Sequence, residues 1–272
     1  MPNKLINLAA LAVFAVSLPT TASAVNIVWN GLAGDDLYAT DGNWVGGVAP
    51  SNNDYADTAV FNSTATPSEI TYGSRKVAHL LFETAGWTLS GGHFNGLGSF
   101  ESHGAGTNSI IQGASGSAFT VNQNYNPTWT IGDGNTLFVS GYYQNSKIVT
   151  LTGGGTLSLG SAVSGFGSLG FILEDVTVRT SVSQIFSASG GTTTLTNIAS
   201  AVQLQTTIAA AEAMIGSKIL DGLGNGLEVT DIGGGYVEVS PTSIPEPSMI
   251  ALMFGVTVLG VTLTRRRLSC RR

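Results

Sequence analysis

Charge is scarce in this sequence: Asp, Glu, Lys and Arg together make up 10% of its 272 residues. That is too little to lace the faces of long helices with ion pairs. Cysteine is almost missing, and the only one, Cys270, sits beside the C-terminus. No intrachain disulfide can staple the fold, so stability must come from strand pairing and packing. Histidine occurs three times, as His79, His93 and His103, in no recognised metal-binding spacing. Bases are rarest where a partner would meet them. Between positions 25 and 244 stand only Arg75, Lys76, Lys147, Arg179 and Lys218, against sixteen acids from Asp35 to Glu238, a net charge of −11. Such a field repels nucleic acid and anionic lipid surfaces, and nucleic acid is not an expected partner.

What the sequence has in abundance is glycine, 36 residues of it, mixed with Thr, Ser and Asn. Many short strands joined by tight turns suit that balance.

The N-terminal stretch 5–18 is apolar, follows Lys4 and ends at Pro19. It is too short to span a bilayer, and the small residues Ala22 and Ala24 flanking Ser23 suit a signal peptidase pocket. The layout is that of a signal peptide over residues 1–24, engaging the export machinery and signal peptidase, with cleavage after Ala24.

At the other end, residues 248–264 are uncharged and mostly apolar, and Arg265, Arg266 and Arg267 follow at once. A helix of that length is about 26 Å long. It can cross a hydrocarbon core of about 30 Å if the arginines snorkel. The arginine cluster keeps that end cytoplasmic and leaves 25–243 outside. Pro245-Glu246-Pro247 precede the helix, and two prolines hold the intervening residue extended, as a peptidase groove requires. Pro-Glu-Pro, a short transmembrane helix and a terminal basic cluster, in that order, resemble the PEP-CTERM sorting signal of Gram-negative bacteria. The resemblance implies a sorting tail over 244–272, transient residence in the inner membrane, and processing near Pro245, Glu246 and Pro247 by an exosortase-like membrane peptidase. It further implies a destination at the cell surface or in the extracellular matrix, with exopolysaccharide as a candidate partner.

Residues 25–243 read as one all-β extracellular domain. Alternation at 25–29 and 58–61 gives strands, and a cadence of short strands follows: 77–82, 87–90, 109–111, 119–121, 129–131, 136–140, 147–151, 156–159, 171–173, 176–180 and 193–196. Stacked coils of a Gly-rich β-solenoid, like a right-handed parallel β-helix, account for this spacing, with a β-sandwich as the alternative. The opening, with Trp29, Gly31, Asn43-Trp44 and Pro50, and the segment Leu151-Thr-Gly-Gly-Gly-Thr-Leu-Ser-Leu-Gly160 resemble proteins with autotransporter-associated β-strand repeats. In a solenoid Trp29 and Trp44 would close the open end, while an aromatic platform for sugars is the competing role. Residues 206–215 read as a soluble helix stopped by Gly216 and covering the C-terminal end. Strands 227–232 and 236–240 read as a hairpin around Gly233, Gly234 and Gly235.

Chemistry is thin. Asp35, Asp36 and Asp41, and Asp221 with Asn225, could offer oxygens to Ca²⁺, but Asx-turns are the simpler account. Glu174 and Asp175 near Arg179 form the tightest cluster, and a turn explains it. A β-helix lyase or hydrolase acting on glycans is the competing function class; it would need carboxylates gathered in a groove. The expectation is therefore a non-catalytic structural or adhesive protein, with no catalytic residue, metal or cofactor.

Overall fold

The computed structural model describes residues 25–51, 57–77, 79–112, 119–121, 127–140, 143–144, 148–160, 170–181, 194–197 and 200–242. The expected signal peptide and sorting tail, with Ala22, Ala24, Pro245 to Pro247 and Arg265 to Arg267, lie outside them. No helix among the described residues is long and apolar enough to cross a membrane.

The chain is a parallel β-solenoid. Its first row of strands runs β1 (Asn26–Val28), β2 (Thr58–Phe61), β5 (His79–Phe82), β7 (Ser99–Ser102), β10 (Thr128–Ile131), β13 (Ile148–Thr152), β15 (Gly170–Leu173), β17 (Thr194–Asn197) and β19 (Ile219–Asp221). The second row runs β3 (Glu69–Thr71), β6 (Thr88–Leu97), β8 (Gly106–Gln112), β11 (Asn135–Ser140), β14 (Thr156–Leu159), β16 (Thr177–Ser181) and β18 (Ala201–Gln205). A third, shorter row flanks the far half of β6 with β4 (Ser74–Lys76), β9 (Phe119–Val121) and β12 (Tyr143–Gln144). All of these pairs are parallel. A β-sandwich, whose sheets are antiparallel, is thereby excluded.

From β2 onward, partners in the first row stand 20 to 24 positions apart, as Thr58, His79 and Ser99 do, except for 29 between Phe100 and Trp129. The same long coil separates Gly106 from Asn135 in the second row. Period-two alternation sends every second residue inward. Leu137, Leu157, Val178 and Val202 thus stack in register across four coils, all fully buried. Near the N-terminal end an aromatic series fills the same interior. Phe61 and Phe82 lie 5.2 Å apart, Phe82 and Phe100 5.6 Å, and Phe100 and Trp129 6.1 Å.

Sharp corners join the rows, and corner backbone cannot all pair within the sheets. Buried polar side chains of the next coil meet the demand. Asn108 accepts from the Trp87 N–H at 3.0 Å, and the Ser200 hydroxyl accepts from the Val176 N–H at 3.0 Å. Asn135 donates to the His103 and Gly104 carbonyls at 3.0 and 2.7 Å and accepts from the Ser102 hydroxyl at 2.7 Å.

Each end of the solenoid is treated differently. At the N-terminal end, Trp44 forms an antiparallel bridge to Trp29 beside β1, while Leu37 bridges Thr71 of β3. One loop thus lies along the starting edges of both main rows. Trp29 and Trp44 are each 1% exposed and meet edge to face at 5.1 Å, and Trp44 donates its indole N–H to the Tyr38 carbonyl at 2.8 Å. Neither ring is open to a sugar, so the platform role fails and the rings belong to the interior. At the C-terminal end, β21 (Tyr236–Pro241) joins β18 antiparallel, and β20 (Leu227–Gly233) pairs with β21. The helix is shorter than the sequence implied: α1 spans Ile208–Glu212, capped by the Thr207 hydroxyl, with Ala211 buried. Tertiary packing draws Met214 and Ile215 onto the core after the helix has ended.

Candidate functional sites on the outer faces

Outward residues form columns that cross the coils. On the second row Thr107, Thr136, Thr156 and Thr177 are successive partners, and on the first row Thr130 faces Thr152. β-branched hydroxyl residues favour this pleated, half-exposed position.

Two places depart from the hydroxyl pattern. The first lies on the outer face of the first row, where the 20-residue step from His79 brings Ser99 alongside it. The His79 Nδ1 and the Ser99 hydroxyl are hydrogen bonded, and His103 Nε2 lies 3.1 Å from Glu101 Oε2. Burial disfavours the imidazolium of half-buried His79 and lowers its pKa, with the Glu101 charge opposing in part. In sequence these histidines show no recognised metal-binding spacing; Glu101 stands on β7 and His103 in the corner directly after it. The structure pairs them, but no group of three or more His, Cys, Asp or Glu among the described residues is arranged to hold a metal ion.

The second place is on the second row. Phe138, Ser158, Arg179, Gln203 and Glu238 follow one another across β11, β14, β16, β18 and β21. The Arg179 guanidinium lies 4.5 Å from the centre of the Tyr236 ring, and Gln203 donates to Glu238 at 3.0 Å. Sequence reading tied Arg179 to Glu174 and Asp175 instead. Those two acids occupy the exposed corner before β16, where Asp175 has φ +54° and its carbonyl accepts from the Gly154 N–H. Arg179, four residues on, faces Tyr236. The turn account of Glu174-Asp175 therefore stands.

The acidic loops behave as turns as well. Asp35 accepts from the Thr40 hydroxyl at 2.6 Å, the Leu37 N–H at 3.0 Å and the Asn43 amide at 2.5 Å, and the first two bonds lead in holding its pKa below the ordinary value. Asp41 accepts from the Ala49 N–H at 2.9 Å. Asp221 accepts from the Leu223 N–H at 2.9 Å and from Gly226, and its pKa is lowered, first by Leu223. Their carboxylate oxygens are taken up by N–H and O–H donors, as Asx-turns require.

No family model, curated protein or solved structure matches the chain.

Proposed function

We propose that this chain is an exported surface or matrix protein of a Gram-negative bacterium. Its β-solenoid, coiled in the right-handed sense usual for parallel strand connections, serves as a non-catalytic structural or adhesive unit. The columns of hydroxyl and amide side chains on a fully packed coil carry the reading. They offer repeated donors and acceptors to a glycan or to neighbouring material, with strongly acidic charge discouraging nucleic acid. Export and sorting rest on the sequence at the two ends: the A-x-A triplet at Ala22 to Ala24, and the order Pro-Glu-Pro, apolar run, Arg265 to Arg267. An exosortase-like peptidase acts near Pro245 to Pro247, and the tail holds the domain at the inner membrane until then.

The test is fractionation of a Gram-negative host that has an exosortase, with mass spectrometry of both termini and co-sedimentation with extracellular polysaccharide. A chain that begins at Val25, lacks 248–272 and sediments with the polysaccharide supports the proposal. Full-length chain recovered soluble from the cytoplasm overturns it.

A further inference from the structure

Arg179 is unusual for its surroundings. Acids outnumber bases sixteen to five over positions 25–244, yet among the described residues the only basic side chain within 4 Å of a carboxylate is His103, 3.1 Å from Glu101 at the other row. Arg179 is exposed, and its guanidinium carbon lies 4.5 Å over the centre of the Tyr236 ring, a cation–π contact that favours this position of the side chain. A planar guanidinium presents a fork of N–H donors that fits a carboxylate in bidentate fashion. The nearest carboxylate in the same column, Glu238, lies beyond Gln203 and receives that side chain's amide.

Around this cation lies a groove of about 340 Å³, with Phe138, Ser158, Arg179, Gln205 and Tyr236 among its lining residues. Phe138 is half-buried at the opposite end. A Cβ added to Gly160 would fall 2.7 Å from its ring, so glycine there lets the ring settle against the strand end. Two strand spacings, about 9.6 Å, separate Phe138 from Arg179. An apolar plate, a cation and hydroxyl and amide groups at Ser158 and Gln205 between and beside them suit a ligand with a C–H face, hydroxyls and one acid group.

We propose that this groove binds an acidic saccharide, with a uronate carboxylate on Arg179 and a neighbouring sugar ring against Phe138. The assignment rests on the reading of the chain as a matrix protein and names the class of glycan it takes. Distant acids of the domain oppose such a ligand weakly, because charges more than about 8 Å away are screened at physiological ionic strength.

The test is calorimetric titration of the full chain in detergent with an alginate-derived tetrauronate and with cellotetraose, a neutral chain of equal length. The tetrauronate binds and cellotetraose binds at least about tenfold more weakly, as loss of a charge-assisted bidentate contact implies. Arg179→Met loses about tenfold or more of tetrauronate affinity with an unchanged circular dichroism spectrum. Lys218→Met, the same charge change beside β19 on the first row, leaves the affinity intact. Equal affinity for both sugars, an Arg179→Met protein that binds as wild type, or no tetrauronate binding at all overturns the assignment. Co-sedimentation with matrix polysaccharide separates the two levels. If wild type and Arg179→Met both sediment while tetrauronate fails to bind, the groove assignment falls and the matrix reading stands; if wild type does not sediment, the matrix reading falls too.

Discussion

Substituting alanine in turn for Gly153, Gly154 and Gly155 should produce three different outcomes from three residues that look alike in sequence. Gly154 has φ +77°, and a Cβ there would meet nothing closer than 3.6 Å. Its cost is therefore conformational, about 1–2 kcal/mol for an L-residue held in the left-handed region. Gly155 is the reverse case. Its φ is ordinary, but a Cβ would lie 2.5 Å from the Gly132 carbonyl oxygen, 2.6 Å from the Ile131 side chain and 2.8 Å from the Asn135 carbonyl oxygen. Backbone of the preceding coil cannot withdraw without opening the corner, so the overpacking cost is about 3 kcal/mol or more. Gly153 combines both faults, with φ +111° and a Cβ 2.6 Å from the Ile131 carbonyl oxygen, and its substitution is the most damaging.

Alanine also lowers the entropy of the unfolded chain at each site by a similar amount, which cancels in the ranking. Thermal unfolding of the full chain followed by circular dichroism reads the order. At about 2–4 °C per kcal/mol for a chain of this size, Gly154→Ala loses roughly 2–8 °C and the other two roughly 6–12 °C or more. A Gly154→Ala protein as unstable as Gly155→Ala would refute the corner geometry, as would a Gly155→Ala protein indistinguishable from wild type.

Two further outcomes follow from buried and half-buried polar groups. Asn135→Ala removes three hydrogen bonds of a side chain that is 1% exposed and strands the His103 and Gly104 carbonyls; a loss of about 2–4 kcal/mol is expected in urea titration, and a loss under about 0.5 kcal/mol would contradict the network. His79 has a folded pKa below its ordinary value, so the folded state favours the neutral ring. Its contribution is present above about pH 6.5 and fades as pH falls below that value toward the folded pKa. His79→Gln should flatten the acid side of the stability profile, measured as the unfolding midpoint from pH 7.5 to 5, and an unaltered slope would show that His79 does not set it.

The solenoid was legible where inward positions are apolar and outward positions hydroxylic. Phe119–Val121 and Thr156–Leu159 coincide with the strands expected, because alternation there follows the two-residue period without interruption. Ser99–Ser102 went unread because its inward Ser102 is polar and is buried only through its bonds to Asn108 and Asn135. Ala201–Gln205 was missed beside an Ala-rich segment whose helical propensity drew the reading to 206–215. β6 runs past Gly91 and Gly92 to Leu97, where glycines would ordinarily end a strand, because the backbone of Gly73 in the coil below approaches Gly92 too closely for any side chain. The Arg179 groove was hidden for a different reason. Its members Phe138, Ser158 and Arg179 stand 20 and 21 positions apart, the next step of the column to Gln203 is 24, and coils of unequal length leave no fixed period by which a sequence could align them.

The reversal of strand direction at β21 bears on how many coils the molecule can have. A stack of parallel coils is a template that any similar segment could lengthen, including one from another molecule, and fibres grow in that way. Because β18 receives a strand running the opposite way, the next layer can no longer repeat the winding of the one beneath. The outermost strand, Leu227–Gly233, then presents Glu228 and Asp231 on its exposed stretch, like charges that would face one another if two such edges met. On this row the end of the stack is accordingly written into the polypeptide itself.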